Sequence, residues 1–421
     1  MLEEMENFYS PEFGYKNDVL HAGNFNLQNF AQGIKTPFYL YNRQSILNFW
    51  QIIHSTLGKI ENSIICYAVK ANHNVEIIRE FGNLGCGADC VSGGEIFRAI
   101  KAGISPEKIV FAGAAKTDED LEYAIQNQIL QINVESFSEI SRINSIAKKL
   151  GKAQKIAIRI CPGILASTHK NISTGGEDSK FGIEISQISN EKLVEISKLS
   201  HTKLAGFSIH IGSQLFNLAE LSGAVAVISN LTQVAISLGI AIETIDVGGG
   251  FGVKYRANDE IFNFSAYLEI ILKSLENLPK NIKTIFEPGR FLIANSGVLI
   301  AKLLCIKENG GKKFAILDAG MNDLARPAIY GAHHDILPIQ KSKSMQIYDI
   351  CGAICESTDF FARAREISQL QEGDFVAIMS SGAYGSAMSS EYNSRGIIDE
   401  YLLNLANVRQ IRKRRAWEDL A

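Results

Sequence analysis

The sequence predicts an α/β protein in which a (β/α)8 barrel of the TIM type is joined to a C-terminal β-rich domain. Between Ser63 and Arg290, apolar runs alternate with segments of helical periodicity about eight times in about 230 residues, which is typical of such a barrel. After Gly297 the alternation ends, and short strands with glycine-containing connections follow. The chain has 421 residues, 46% of them hydrophobic, which is enough for two domains with cores of their own.

Eight apolar runs are predicted to form the barrel strands, because branched and aromatic residues dominate them and turn residues separate them. They are Ile64–Lys70, Cys86–Cys90, Ile109–Ala112, Gln131–Val134, Ile156–Ile160, Phe207–Ile211, Thr244–Val247 and Thr284–Glu287.

Three of the intervening segments carry clear helix signals. Ser92–Gly103 begins with a capping residue and ends on glycine. Thr117–Gln128 opens with threonine and an acidic cluster, which favours a helix N-terminus. Leu218–Gly239 has apolar residues at helical spacing and stops at glycine. By contrast, Pro162–Gly182 is rich in glycine without helical periodicity, and we expect a long functional loop there.

The β-rich domain is predicted from four short strands, Val298–Ile306, Lys313–Asp318, Met345–Ile350 and Asp374–Ser380. Residues 1–37 contain no βα repeat and are expected to pair with it. We therefore predict a barrel over residues 38–292, and a β-rich domain formed by residues 1–37 and 293–421.

Composition excludes several classes of protein. The formal net charge of −3 gives no reason to expect nucleic acid or membrane surfaces as partners. The basic run Arg412–Arg415 is interpreted as a solvated strand or tail, since acidic residues follow it at once. No secretory signal and no apolar stretch long enough to span a membrane is evident. Seven scattered cysteines favour reduced thiols in a cytoplasm, and no metal site is predicted.

The first candidate functional residue is Lys70, at the end of the predicted strand Ser63-Ile-Ile-Cys-Tyr-Ala-Val-Lys70. Burial at the mouth of a core disfavours the charged form of an amine. An amine that is partly neutral near pH 7 forms a Schiff base with an aldehyde, and pyridoxal phosphate is the usual biological aldehyde for this purpose. A lysine at a strand end more often only extends to solvent, so the rest of the pattern decides.

Three further features fall at the ends of predicted strands, which converge on one face of a barrel. His210 ends the sixth strand, Gly248–Gly250 follow the seventh, and Glu287 ends the eighth. The histidine is expected to pack on an aromatic cofactor and the carboxylate to keep a pyridine nitrogen protonated. The glycines are expected to let backbone N–H groups approach a phosphate, although each feature alone also fits a structural residue or a tight turn.

Seven segments, in this order and spacing, resemble the fold-type III pyridoxal phosphate decarboxylases over nearly the whole chain. They are Tyr67-Ala-Val-Lys70-Ala-Asn72, His210-Ile-Gly-Ser213-Gln214, Gly248-Gly-Gly-Phe-Gly252, Glu287-Pro-Gly-Arg290, Met321-Asn-Asp-Leu-Ala-Arg326-Pro-Ala-Ile-Tyr330, Cys351-Gly-Ala-Ile-Cys355-Glu356-Ser357-Thr-Asp359 and Gly382-Ala-Tyr384-Gly385. Asn171, Ala325 and His333 depart mildly from the family pattern.

The resemblance implies a role for each matching residue. Lys70 would carry the cofactor as a Schiff base, His210 would stack on its ring and Glu287 would face its nitrogen. The residues implied in binding the phosphate and the cofactor body are Ser213, Gly248, Gly249, Gly250, Gly289, Arg290 and Tyr384. Those implied in binding substrate are Arg290, Arg326, Tyr330, Glu356 and Tyr384, and Cys355 would be the proton donor. The resemblance also implies a homodimer, in which the Cys355–Glu356 pair acts in the partner's site.

The implied reaction is the decarboxylation of meso-2,6-diaminopimelate to L-lysine and CO2, the last step of lysine biosynthesis. Diaminopimelate carries a second amino-acid group, so its binding requires cations and an anion together, which Arg290, Arg326 and Glu356 provide. Related decarboxylases of ornithine, arginine or carboxynorspermidine remain the alternative. A regulatory protein without catalysis and a racemase are further alternatives, although this chain retains both Lys70 and Cys355.

Overall fold

The computed structural model describes residues 12–164, 175–176 and 179–421. The chain forms two compact units. A β-rich unit comprises Met1–Trp50, Val253–Glu260 and Phe291–Ala421, and a barrel unit comprises Gln51–Gly252 and Ile261–Arg290.

The N-terminal part of the β-rich unit begins with a small antiparallel sheet of β1 (Phe13–Lys16), β2 (Val19–Ala22) and β3 (Phe25–Asn26). Helix α1 (Leu27–Gly33) and strand β4 (Phe38–Asn42) follow, and helix α2 (Arg43–Leu57) leads from this unit into the barrel unit. All five residues of β4 are buried, although the sequence pattern did not indicate a strand there.

The barrel unit contains a closed parallel sheet of eight strands, as the sequence predicted. The strands are β5 (Ser63–Ala68), β6 (Gly87–Cys90), β7 (Ile109–Phe111), β8 (Gln131–Val134), β9 (Gln154–Cys161), then, after the short β10 (Ile183–Glu184) at its edge, β11 (Thr202–Ile209), β12 (Thr244–Asp246) and β13 (Lys283–Phe286). Each strand pairs with the next in this order, the β8–β9 pairing is parallel like the others, and β13 pairs with β5 to close the barrel. Every predicted barrel strand is confirmed, with ends that differ by up to five residues.

The helices of the barrel unit are α3 (Val75–Asn83), α4 (Gly93–Lys101), α5 (Asp118–Gln126), α6 (Phe137–Lys149), α7 (Asn190–Ser197), α8 (Leu218–Ser237) and α9 (Phe264–Leu275). The three predicted helices are confirmed as α4, α5 and α8, with the expected caps. Ser92 accepts a hydrogen bond from the Glu95 N–H, and Thr117 forms a capping box with Asp120.

Helix α8 is long and apolar enough to cross a membrane by length and composition alone. Its buried residues include Leu221, Val225, Ile228 and Leu231, and the helix packs on α9 and β11 within the barrel unit. This is the pattern of a core helix of a folded domain, whose apolar face is covered by protein.

The C-terminal part of the chain supplies most of the β-rich unit. It contains α10 (Arg290–Ile293), β14 (Gly297–Asn309), β15 (Lys312–Leu317), α11 (Arg326–Tyr330), β16 (Ile336–Pro338), β17 (Met345–Cys351), β18 (Phe360–Ser368), β19 (Phe375–Ile378), β20 (Asp399–Asn404) and β21 (Asn407–Arg412). The main sheet has the order β18-β17-β15-β14-β4-β20-β21, and β19 pairs with β14 and β16. The four predicted strands correspond to β14, β15, β17 and β19.

The division between the units lies later in the N-terminal region than the expected position between residues 37 and 38. The reason is β4, which pairs antiparallel with β14 and parallel with β20, so that residues 38–42 belong to the β-rich sheet. Pairing partners so distant along the chain leave no local signal in the sequence.

The basic run Arg412–Arg415 is not simply solvated. Arg412 forms an ion pair with Glu400, whose side chain is fully buried, and Arg414 contacts Asp399 at 3.1 Å. These carboxylates lie on β20, the neighbour of β21, and a buried carboxylate requires a charged partner. The interpretation of this segment as a solvated strand or tail is therefore wrong for Arg412 and Arg414.

Candidate active site

A cavity of about 280 Å³ lies at the carboxyl ends of the barrel strands. It is lined by Lys70, Val91, Ala112, Gly113, Asn133, Arg159, Phe181, Ser208, Ile209, His210 and Glu287. Three residues singled out from the sequence, Lys70, His210 and Glu287, thus line one cavity although they are far apart along the chain. Active sites of this barrel type lie at the same end.

Lys70 lies two residues beyond the end of β5, in a single turn of 3-10 helix formed by Val69–Ala71. Its ammonium forms an ion pair with Asp89 on β6, whose carboxylate is fully buried. The pairing favours the charged amine, whereas the sequence interpretation relied on burial favouring the neutral one. The second oxygen of Asp89 has no hydrogen-bond partner among the described residues.

His210 directly follows β11, and its ring is held by the glycine segment. The N–H of Gly249 donates to Nδ1 of His210 at 3.4 Å. Burial, followed by the positive charges of Arg159 and Lys70, holds the pKa of His210 well below its ordinary value. The ring is therefore neutral near pH 7, with Nδ1 as the acceptor, and presents a flat uncharged face.

Glu287 directly follows β13, and its side chain lies beside Asp246 of β12. The two carboxyl groups are neighbours that accept from the same amide donor. Asn133 donates from Nδ2 to Asp246 at 2.8 Å and to Glu287 at 3.5 Å. Burial, followed by the charges of Asp246 and Asp89, raises the pKa of Glu287 well above its ordinary value.

The three glycines after β12 have a structural reason in addition to the predicted phosphate binding. A Cβ at Gly249 would lie 2.1 Å from the carbonyl oxygen of Glu287, and Gly248 and Gly250 have φ of +69° and +89°. Larger residues are therefore excluded by close backbone packing. The N–H of Gly248 donates to Asp246 at 3.0 Å, so two of the three glycine N–H groups have partners within the protein.

Arg290 and Ser213 belong to the same end of the barrel unit and contact each other. Nε and Nη2 of Arg290 both donate to the Ser213 hydroxyl at 3.1 Å. Gly289 packs on the turn that carries Lys70, because a Cβ there would lie 2.9 Å from the Ala68 side chain. The segment after β13 is thereby fixed against the segment after β5.

Arg326, Tyr330 and Tyr384 lie in the β-rich unit. Arg326 begins α11, and its guanidinium lies over the Tyr255 ring, 4.6 Å from the centroid. Its Nη1 donates to Nε2 of His334 at 2.8 Å. Tyr330 is the last residue of α11, and Tyr384 has a positive φ of 55°. The contacts around Arg326 leave it buried and oriented.

Cys355 and Glu356 lie on the loop between β17 and β18 of the β-rich unit. The Cys355 thiol is exposed, its backbone N–H donates to Asn393 at 3.0 Å, and the Glu356 carboxylate accepts from the Tyr392 hydroxyl. Asp359 accepts from the N–H groups of Met321 and Ile354, both at 2.7 Å. The buried side chain of Asp359 therefore fixes the shape of the loop between β17 and β18, on which the Cys355 thiol is exposed to solvent.

Polar cavity or network residues that escaped the sequence interpretation include Asp89, Asn133, Arg159, Ser208 and Asp246. Each lies in a barrel strand, and each is a buried polar residue within an apolar run. A polar residue in a central strand is the signal that points to them, since burial of an unpaired polar group is costly. Arg159 pairs with Glu135 at 2.8 Å and lies over the Phe181 ring, 4.7 Å from the centroid.

Two further expectations concern the loop and metals. Most of the expected functional loop, residues 165–174 and 177–178 including Asn171, lies outside the described residues. Within residues 12–164, 175–176 and 179–421, no group of three or more histidine, cysteine or acidic residues is arranged to hold a metal ion.

Comparison with known proteins agrees with this geometry. Residues 43–294 match the family described as pyridoxal-dependent decarboxylase, pyridoxal binding domain. Diaminopimelate decarboxylase of Aquifex aeolicus is 40% identical over 416 residues, covering 99% of this chain and 98% of the relative. The crystal structure of diaminopimelate decarboxylase from Helicobacter pylori complexed with L-lysine has 42% identity and a TM-score of 0.89, covering 94% and 98% of the two chains. The corresponding L-lysine co-complex from M. jannaschii has 33% identity and a TM-score of 0.93, covering 98% and 97%. The chain therefore belongs to the diaminopimelate decarboxylases, within the pyridoxal-dependent decarboxylase family.

Proposed function

We propose that the protein decarboxylates meso-2,6-diaminopimelate to L-lysine and CO2 with pyridoxal 5'-phosphate as its cofactor. The observation that carries this proposal is the barrel cavity, in which a lysine amine, a neutral imidazole and a buried carboxyl group meet. Relatives that match nearly the whole length of the chain include diaminopimelate decarboxylases, among them two solved with L-lysine.

The residues present fit this cofactor. The cavity volume of about 280 Å³ is near the lower end of the usual range for small-molecule sites. Ser208 lines the cavity, and its hydroxyl is buried without a hydrogen-bond partner among the described residues. Such a group indicates a polar ligand atom, since buried hydroxyls are normally bonded. The residues proposed to hold the cofactor are Lys70, His210, Ser213, Gly248, Gly249, Gly250, Glu287, Gly289, Arg290 and Tyr384.

When bound, pyridoxal phosphate supplies an aldehyde for the substrate amine and a conjugated ring that accepts the electrons left by the departing carboxylate. Lys70 would supply the amine that holds the aldehyde carbon. Asp89 orients this amine and is placed to take a proton from it, because its carboxylate contacts the ammonium. His210 supplies a flat neutral ring, and Glu287 supplies the acid–base group for the ring nitrogen.

The distal end of the substrate carries both a carboxylate and an ammonium group. We assign the carboxylate to Arg290, Arg326 and Tyr330, and the ammonium to Glu356. The guanidinium of Arg326 is buried and oriented by His334, which favours directional binding of a carboxylate. Cys355 is the proposed donor of the proton that replaces CO2 at the substrate carbon, for which its exposed thiol is available.

Turnover of different substrates tests the proposal against its alternatives. We expect CO2 release and stoichiometric L-lysine from meso-diaminopimelate, and little reaction with ornithine, arginine or carboxynorspermidine. Turnover of ornithine with inert diaminopimelate would refute the substrate assignment. Retention of both carboxylates with interconversion of stereoisomers would instead indicate a racemase, and pyridoxal phosphate binding without any turnover would indicate a regulatory protein.

We further propose a cytoplasmic homodimer with active sites completed across subunits. The cysteine inventory supports the compartment, because all seven cysteines are free thiols. The exposure of Cys355 supports the shared site, because a proton donor facing solvent in one subunit is available to a partner.

A further inference from the structure

A chain of buried polar side chains runs through the interior of the barrel from the cavity. The hydroxyl of Thr244 donates to Gln131 at 2.7 Å, and Gln131 donates to Asn133 at 2.8 Å. Asn133 in turn donates to Asp246 at 2.8 Å and to Glu287 at 3.5 Å. The chain thus ends on two carboxyl groups, of which only Glu287 lines the cavity.

The amide of Asn133 is oriented by this chain. Its oxygen accepts from Gln131, so its nitrogen is the atom that faces the carboxyl groups and donates. Asp246 receives a second hydrogen bond from the Gly248 N–H at 3.0 Å. Both donors therefore favour a negative charge on Asp246, and the cavity-facing Glu287 receives only the longer contact from Asn133.

The surroundings do not support two negative charges on this pair. Asp246 is fully buried and Glu287 is 6% exposed. Asp89 adds a third carboxylate, while Lys70, whose charge favours ionisation of Glu287, pairs with Asp89. Their other titratable neighbours are buried, namely Cys66 on β5 and Tyr267 on α9. Two buried carboxyl groups that share one amide donor in such an environment hold one proton between them, because neighbouring like charges cannot both ionise without water.

We propose that Asp246 is a positioning residue that forms a single-proton carboxyl pair with Glu287, oriented by Asn133, and that this pair stores the proton needed by the cofactor ring nitrogen. The proposal rests on the proposed function, since it takes pyridoxal phosphate as the ligand of the cavity. Burial raises the pKa of Asp246 to about 6, and burial and the neighbouring charges raise that of Glu287 further, which agrees with a retained proton near pH 7.

The proton balance follows directly. Before the cofactor binds, the pair carries one proton, on Glu287, and one negative charge, on Asp246. On binding of a cofactor whose ring nitrogen carries no proton, the proton would pass from the Glu287 carboxyl to that nitrogen, and Glu287 would become the carboxylate that faces the new N–H group. No proton is taken from solvent for this step. Asn133 and the Gly248 N–H stabilise the charge that Asp246 already carries.

Proton uptake on cofactor binding tests the proposal without any substrate. The full-length protein is titrated calorimetrically in buffers of different ionisation enthalpy, at a pH above the ring-nitrogen pKa of free pyridoxal phosphate, so that the free cofactor carries no proton there. The ligands are pyridoxal phosphate and 1-deazapyridoxal phosphate, which has C–H in place of the ring nitrogen. Proton uptake per site with the deaza compound is subtracted from proton uptake with pyridoxal phosphate, which cancels contributions from the aldehyde and the phosphate.

We expect this difference in proton uptake to be near zero for the wild type. Asp246→Asn removes the neighbouring acid, leaves Glu287 ionised before binding, and should raise the difference to about one proton per site.

Tyr267→Phe is the matched control. It removes another buried polar atom near Asp246, one without a hydrogen-bond partner among the described residues, and it should leave the difference near zero. Asn133→Ala tests the orienting role separately. It should keep the stored proton but reduce the preference for pyridoxal phosphate over the deaza compound by about tenfold, as expected for losing a hydrogen bond to a charged group.

An uptake difference of about one proton in the wild type would overturn the proposal, even if Asp246→Asn failed to fold. The same difference in proton uptake in the wild type and in Asp246→Asn would also overturn the proposal, because Asp246 would then have no part in retaining the proton. Failure of the proposed function is distinguishable, since it would appear as cofactor binding without CO2 release from diaminopimelate. The proton count does not depend on that reaction.

Discussion

At the scale of single residues, the environment of each side chain determines its chemistry. In the barrel cavity, the charges near the histidine are positive, whereas the lysine and the glutamate lie near carboxyl groups. Lys70 is paired with a carboxylate, His210 lines the cavity near the cations Arg159 and Lys70, and Glu287 is buried near carboxyl groups. The first has an ion-pair partner, the pKa of the second is lowered and the pKa of the third is raised, which is a division of acid–base behaviour suited to one site.

Replacing Lys70 by alanine should abolish the visible absorbance of the Schiff base between Lys70 and the cofactor, because that absorbance requires a covalent link to this amine. The measurement is an absorbance spectrum of the protein saturated with pyridoxal phosphate. Lys101→Ala, on the exposed surface of α4, is the matched control and should retain the spectrum. An unchanged spectrum in Lys70→Ala would remove this residue from cofactor attachment.

Replacing Cys355 by alanine should leave cofactor binding intact but lower kcat by about a hundredfold or more, as expected for the loss of a general acid. The spectrum and the rate of CO2 release are measured on the same sample. Cys305→Ala, a partly exposed thiol on β14, is the control and should keep near-normal turnover. Near-normal kcat in Cys355→Ala would exclude the thiol as the donor.

The depressed pKa of His210 gives a defined pH dependence of stability. The pKa of His210 in the folded state lies well below 6.5, its ordinary value, so between these two values the unfolded chain binds more protons at this residue than the folded protein does. The stability that the neutral ring contributes is therefore fully present above about pH 6.5. It is lost as pH falls through the folded pKa. The free energy of unfolding of the wild type should therefore decrease relative to His210→Gln on acidification below about pH 6.5, by at most about 1.4 kcal/mol per pH unit. Parallel profiles from urea denaturation would contradict a neutral buried ring.

At the scale of elements, capping residues define the helices that surround the barrel. Thr117 accepts a hydrogen bond from the Asp120 N–H at 3.1 Å, and Asp120 accepts one from the Thr117 N–H at 3.0 Å. Asp120 also accepts from the N–H of Gly93 at 2.7 Å, which joins the starts of α4 and α5. The same capping box therefore orients two neighbouring helices.

Removing this cap should cost stability without affecting chemistry. Thr117→Ala should lower the free energy of unfolding by about 1 kcal/mol, since the N–H group of Asp120 loses its acceptor. Thr117→Ser keeps the hydroxyl and should differ little from the wild type. Urea denaturation of both variants measures the difference, and equal midpoints for Ala and Ser would show that the capping hydrogen bond does not contribute.

Element prediction succeeded where the signal is local and failed where it is not. The barrel strands and helices α4, α5 and α8 follow from periodicity and caps within a few residues of each element. Strand β4 has no such signal, because its buried pattern arises from pairing with β14 and β20. Likewise, the roles of Arg412 and Arg414 depend on carboxylates of a neighbouring strand.

At the scale of the whole molecule, the proposed homodimer makes a prediction about mixed subunits. Lys70→Ala and Cys355→Ala each lack one half of a shared site. Mixing the two inactive variants under conditions of subunit exchange should restore about a quarter of wild-type activity, because half of the dimers are then hybrids with one intact site. Activity of each mixture is compared with either variant alone. No restoration in a mixture shown to contain hybrids would mean that each subunit completes its own site.

The sequence by itself determined the fold class and the chemical inventory of this protein. Alternating apolar runs specify a barrel because strand and helix periods are properties of local sequence. Lysine, histidine, glycine and glutamate were recognisable because strand ends in such a barrel converge. The tertiary structure alone decided the protonation states, since these depend on Asp89, Asn133, Arg159 and Asp246, polar residues that are ordinary in sequence. Their effect arises only when folding removes water and brings charges from different strands within a few ångströms, where the low dielectric makes each interaction strong.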